Sequence, residues 1–250
     1  MNIHYDTGVS TQLLTKRNIM TCKNGLLILL CILLTACANT RPKTATSYHA
    51  SNITPSMTEG FALMNKKVFD EPMLGVQYKY ENKSFPEDLI DIYIYPIGQS
   101  SWEDTDTTLN GEIHHALQDI DTVIKHGIYK SRSTEQLTDF IFTHEKQKFT
   151  GKKAQLTITN PQDELSYSDI YLFIAQDKFI KFRTSFNSKY TRKWTGDDIV
   201  KELLPEINVP TESVYMKNIR AEHKKKMQQD LMEVLMQALK QANSEAPKSD

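Results

Sequence analysis

Beyond residue 37 this 250-residue chain has no cysteine; its three, Cys22, Cys31 and Cys37, all fall before that point. The rest of the chain therefore has no disulfide framework, no thiol nucleophile and no cysteine metal ligand. Glycine is scarce too, and the nine glycines are scattered. No phosphate loop, dinucleotide fingerprint or Gly-x-Ser-x-Gly elbow is formed, and no cofactor is implied. An excess of one charge is also missing. Thirty basic residues stand against 31 acidic ones, a formal net of −1. Such a balance offers no basic face for nucleic acid and no field for a polyanionic substrate. With 39% hydrophobic and 24% charged residues the composition is that of an ordinary globular protein.

The one long apolar run is Gly25 to Ala36, without a charge. As a helix it spans roughly 18 Å, against about 30 Å of bilayer hydrocarbon. That length suits the apolar region of a signal peptide better than a membrane span, and Lys16, Arg17 and Lys23 supply its positive flank. The run closes on Leu34-Thr35-Ala36-Cys37. This motif resembles the lipobox of bacterial lipoprotein precursors: a Leu, two small residues, then an obligatory Cys. The resemblance covers about residues 20–38. It implies that Cys37 receives a diacylglyceryl group, that a signal peptidase recognising Leu34, Thr35 and Ala36 cuts before it, and that fatty acids such as palmitate anchor the mature chain. Residue 38 is Ala rather than Asp, which in the family pattern implies transfer to the outer membrane. Residues 1–19 make a long leader containing Asp6, and Met20 is expected to be the true start.

After the anchor, residues 38–58 are rich in Thr, Ser, Asn and Pro and are read as a flexible tether. Alternating apolar residues then predict strands. Val76, Tyr78 and Tyr80 share one face. Ile90, Ile92 and Ile94 oppose Asp91, Tyr93 and Tyr95, and Pro96 ends that ladder. Further strands are expected around Phe140–Phe142, Leu156–Ile158, Ile170–Ile174 and Ile180–Phe186, the last two joined as a hairpin at Gln176-Asp177-Lys178. Ile113, Leu117, Ile120 and Ile124 predict a helix from Asn110 to Gly127. Thr195 to Asp198 is a helix-start signal for Ile199 to Leu204. The reading is α+β: an antiparallel sheet with packed helices over residues 59–210. Its element order resembles the PsbP/Mog1-like domain shared by a photosystem protein and a Ran-binding protein, a group that implies little chemistry. Residues 211–250 read as a long amphipathic helix with a frayed tail. Its stripe of Met227, Leu231, Val234, Leu235, Ala238 and Leu239 has three readings: docked on its own sheet, paired with a partner helix, or laid on the membrane.

Few side chains suggest catalysis. Glu112, His115 and Asp119 share a helix face beside His114, a possible Zn²⁺ set; the bland alternative is a solvated polar face. The His-Glu-x-x-His order that would also supply a base is absent. Glu145 to Lys153 reads as a basic turn around Phe149, either contacting anionic groups or guarding a strand edge. Tyr93 and Tyr95, with Tyr78 and Tyr80, form either an exposed aromatic binding face or a layer packed under the helix. The resulting expectation is a non-enzymatic lipoprotein of the cell envelope that binds a protein or a cell-wall glycan beside the membrane. Its rivals are a periplasmic metal-dependent hydrolase using His114 and His115, and an immunity or inhibitor lipoprotein.

Overall fold

The computed structural model describes residues 48, 51–53, 57–58 and 60–245. The apolar run, the lipobox and Cys37 lie outside the described residues, as does most of the expected tether. The tether's last part is not free, however. Tyr48, Ser51 and Ile53 are buried, and β1 (Asn52–Ile53) pairs with β11 (Ile207–Asn208) near the other end of the domain. An apolar face on Tyr48 and Ile53 outweighs the polar composition around them.

The remaining strands form one antiparallel sheet. These are β2 (Met57–Thr58), β3 (Phe61–Val68), β4 (Val76–Asn82), β5 (Leu89–Pro96), β6 (Ser131–Arg132), β7 (Gln136–His144), β8 (Gln147–Thr159), β9 (Leu165–Ala175) and β10 (Lys178–Asn187). Their order is β2-β3-β4-β5-β10-β9-β8-β6, with β7 also paired to β8. Two-residue turns join β7 to β8 and β9 to β10. Glu145, Lys146 and Gln176 there take positive φ of 45°, 76° and 56°, matching the right-handed twist of the flanking strands. The expected strands all appear. Besides the two-residue strands β1, β2, β6 and β11, the addition is β3, whose alternation breaks at a register shift between Leu63 and Asn65, so its apolar residues change face midway.

The period-two pattern gives the sheet two covered faces. On one lies α1 (Thr105–Lys125), capped by Asp104, whose side chain accepts from the Thr107 N–H. Its Leu109, Ile113, Leu117 and Ile120 pack on Leu156, Ile170, Leu172 and Phe179. Each such buried side chain contributes roughly 2 kcal/mol. On the other face, Val76, Tyr78, Tyr80, Ile90, Ile92 and Phe182 pack under α2 (Gly196–Leu203) and the docked N-terminal segment. Tyr78 and Tyr80 therefore lie on the opposite face from Tyr93 and Tyr95, and both are fully buried. No common exposed tyrosine face exists.

Among the described residues, the C-terminal helix α3 (Val214–Glu245) is buried against the domain through its first turns. Met216 is 2% exposed and Arg220 8%, while every residue from Ala221 to Gln241 is exposed. The apolar stripe is therefore not docked on its own sheet. Arg220 enters the core in its place. It donates to Asp177 Oδ2 at 2.9 Å and to the Ile97 carbonyl at 2.6 Å, pairs with Glu212, and stacks 4.4 Å from the Trp102 ring.

Removing one member of a buried ion cluster strands the others. Arg220→Ala is expected to destabilise the domain by about 3 kcal/mol, read as the urea midpoint. Truncation after Ala221 is expected to leave that midpoint nearly unchanged; an equal loss in both variants would show that the distal helix does pack.

Candidate functional site

Lys153 of β8 stands opposite Tyr171 of β9 in the sheet register, and the start of α2 is laid directly over them. Thr195 caps that helix in a reciprocal box with Asp198, which fixes the approach of Gly196 and Asp197. Asp197 Oδ1 accepts from Lys153 Nζ at 2.6 Å and from the Tyr171 hydroxyl at 2.6 Å. Asp169 Oδ2 lies 3.2 Å from the same hydroxyl and 3.6 Å from the same ammonium. Lys153 also sits over the Tyr171 ring, 5.1 Å from its centre. Gly196 is required by proximity, since a Cβ there would fall 2.6 Å from the Tyr171 oxygen. Asp197, in the first turn of α2, is further favoured by the helix dipole.

One hydroxyl proton cannot serve two carboxylates. The shorter contact assigns it to Asp197, leaving Asp169 with the weaker share. Burial raises the Asp169 carboxyl above the usual range and the Asp197 charge adds to this, against the lowering effects of Lys153 and the Tyr171 hydrogen bond. Burial, then the two neighbouring carboxylates, push the Tyr171 phenol far up. The cluster is a compact hydrogen-bonded unit under a cleft.

That cleft, of about 430 Å³, is rimmed by Gln155, Tyr167, Phe186, Tyr190, Arg192 and Trp194. Tyr167 and Tyr190 are 51% and 42% exposed, unusual for large aromatic groups held in place. The loop carrying Tyr190 and Trp194 is pinned by Arg192. Its guanidinium pairs with the fully buried Asp88, donates to the Asn187 carbonyl at 2.6 Å, and lies over the rings of Phe85, Phe186 and Tyr190. Trp194 packs against Phe61 and Phe85 at ring separations of 6.0 and 5.7 Å. Its indole N–H is buried without an acceptor. The arrangement combines rigid aromatic faces, a planar amide and two carboxylates.

The residues singled out by sequence lie elsewhere. Cys37, Leu34, Thr35 and Ala36 are outside the described residues. His114 and His115 are exposed on α1, and among the described residues no three His, Asp or Glu side chains converge as a metal set. Glu112 is engaged instead, accepting from the Tyr95 hydroxyl at 2.6 Å. Glu112, His115 and Asp119 do share one hollow, together with Tyr93 and Tyr95 beneath the helix. The basic stretch 145–153 is not a single patch. Lys152 pairs with Asp106 and Asp139 at 2.6 and 2.7 Å, and Lys153 turns into the cluster because neighbouring strand residues face opposite ways. Trp194 was the missed signal: a tryptophan in a polar stretch, two residues before a glycine at a helix start.

No family model and no curated protein matches the chain. Among solved structures, the chain aligns with the solution structure of cyanobacterial PsbP (CyanoP) from Synechocystis sp. PCC 6803, 12% identical. It covers 64% of this chain and 92% of its own, at a TM-score of 0.37. The likeness concerns the mixed α+β fold alone.

A carboxyl raised in the folded state contributes stability that is complete below its unfolded value of about 4, and that is lost as pH rises through the folded value. Asp169→Asn lacks this titration. Across pH 4 to 7 its urea midpoint is expected to gain steadily on the parent protein's; a constant difference would show an ordinary Asp169.

Proposed function

We propose that this chain is a non-catalytic, lipid-anchored module of the bacterial outer membrane, and that the cleft over Lys153, Asp169 and Asp197 binds cell-wall glycan. The observation that carries the reading is the aromatic rim: exposed Tyr167 and Tyr190 beside Trp194. The C–H faces of sugar rings stack on such rings, and sugar hydroxyls and acetamido oxygens suit the outer carboxylate oxygens and the Gln155 amide. Aromatic and planar polar groups held rigidly lose little entropy on binding. Lys153 and Tyr171 are both committed to Asp197 Oδ1, which supports positioning rather than turnover. Lipid on Cys37 would confine the domain near the membrane and raise its effective concentration for the wall beside it.

Two experiments test the two halves of this reading. Palmitate labelling in the native host is expected to mark the chain at Cys37, with residues 25–36 removed; an unlabelled chain retaining them refutes the anchor. The glycan site is tested on the full chain in a polyoxyethylene detergent, titrated with the N-acetylglucosamine–N-acetylmuramic acid disaccharide. Saturable quenching of Trp194 fluorescence is expected in a Trp102→Phe background, with at least a tenfold loss of affinity in Tyr190→Ala, about 1.4 kcal/mol. Absence of saturable quenching sinks the glycan site and leaves the anchor standing.

A further inference from the structure

A second cleft lies on the opposite face of the sheet, under α1, and uses residues with no part in the glycan reading. Two adjoining hollows of about 420 and 260 Å³ share Tyr93, Asp119 and Lys181. Lys181 of β10 stands opposite Tyr93 of β5 in the register. Its ammonium lies 5.4 and 5.2 Å from the ring centres of Tyr93 and Tyr95. Among the described residues it makes no hydrogen bond and no ion pair. Burial lowers its pKa, opposed by Glu112 and Asp119. Arg183, two residues along on the same face, donates one bond to the Tyr129 hydroxyl at 3.1 Å, and its Nε is buried without an acceptor. The floor of the cleft thus holds two cations with donors to spare, a costly arrangement unless an anion completes it.

The helix wall opposite carries the other sign. Glu112 is committed to Tyr95, but Asp119 is exposed and makes no hydrogen bond or ion pair among the described residues. At the far end the lining turns apolar, through Phe69, Met73, Leu74, Pro96 and Phe179. Sheet-side cations, a helix-side carboxylate and an apolar extension thus line the two adjoining hollows.

We propose that this cleft binds a single-chain amphiphile with a zwitterionic head. Its phosphate lies between Lys181 and Arg183, its ammonium faces Asp119, and its chain runs toward Phe69 and Phe179. A purely anionic amphiphile meets repulsion from Asp119 and Glu112, and a purely cationic one from Lys181 and Arg183, so the segregated charges select for both signs on one head.

The test is native mass spectrometry of the full chain with palmitoyl-lysophosphatidylethanolamine below its micellar concentration. A one-to-one adduct is expected, at least tenfold weaker with lysophosphatidylglycerol, which lacks the ammonium, and with glycerophosphoethanolamine, which lacks the chain. Lys181→Met and Asp119→Asn are each expected to weaken the adduct about tenfold, while Tyr190→Ala in the glycan cleft leaves it unchanged. Asp119 is a surface residue, so its variant retains the fold. Equal adducts from the zwitterionic and anionic lipids, or insensitivity to both substitutions, overturn the proposal.

Discussion

A carboxylate with almost no access to water holds this domain together. Asp177 is 3% exposed at the two-residue turn between β9 and β10, a place where a charge is normally solvated. Burial of that charge demands partners, and it has two: Lys178, next to it in the chain, and Arg220 from the C-terminal helix. Its negative charge also helps raise the phenol of Tyr48, after burial itself. The turn's backbone accepts from the Ile97 N–H at 2.9 Å and the Trp102 indole at 3.1 Å. One turn thus gathers both ends of the folded region and the segment leading into α1.

The position of α1 follows from that anchoring, and with it the second cleft. With Trp102 pinned between Arg220 and the turn, the helix crosses β8, β9 and β10 at a set height. Its Glu112 and Asp119 then overhang Tyr93, Tyr95 and Lys181. The other face is organised by a similar device, the buried Asp88–Arg192 pair, which holds the aromatic loop over Tyr167 and Phe186. In both places an ion pair excluded from solvent fixes a loop or helix start, and a cleft opens next to it.

Strand alternation explains why the two clefts differ so sharply in chemistry. Along β9, Tyr167, Asp169 and Tyr171 face the aromatic cleft while Ile170 and Leu172 face α1. On β10, Phe182 and Phe186 face one side and Lys181 and Arg183 the other. Each strand therefore contributes to two sites that share no side chain. The solvent-facing stripe of α3 stands apart from both, because every residue from Ala221 to Gln241 is exposed.

Much of the fold was legible from local pattern alone. Alternation in 89–95 and 179–186, the helical stripe of 113–124 and the Thr195–Asp198 cap each act over a few residues, where backbone sterics and burial of one face leave little choice. The lipobox is equally local, since it is read as an extended string. The register shift that hid β3, the burial of Tyr48 and the separation of Tyr78 and Tyr80 from Tyr93 and Tyr95 depend on what packs opposite. So do both clefts: Lys153, Asp169 and Asp197 meet across 44 residues, and Lys181 meets Asp119 across a sheet-to-helix contact. Sequence by itself determined the longer alternating strands, the helices and the expectation of an anchor. Only the tertiary structure decided which charges would be left inside, because the cost of burying a charge is set by neighbours that chain order does not reveal.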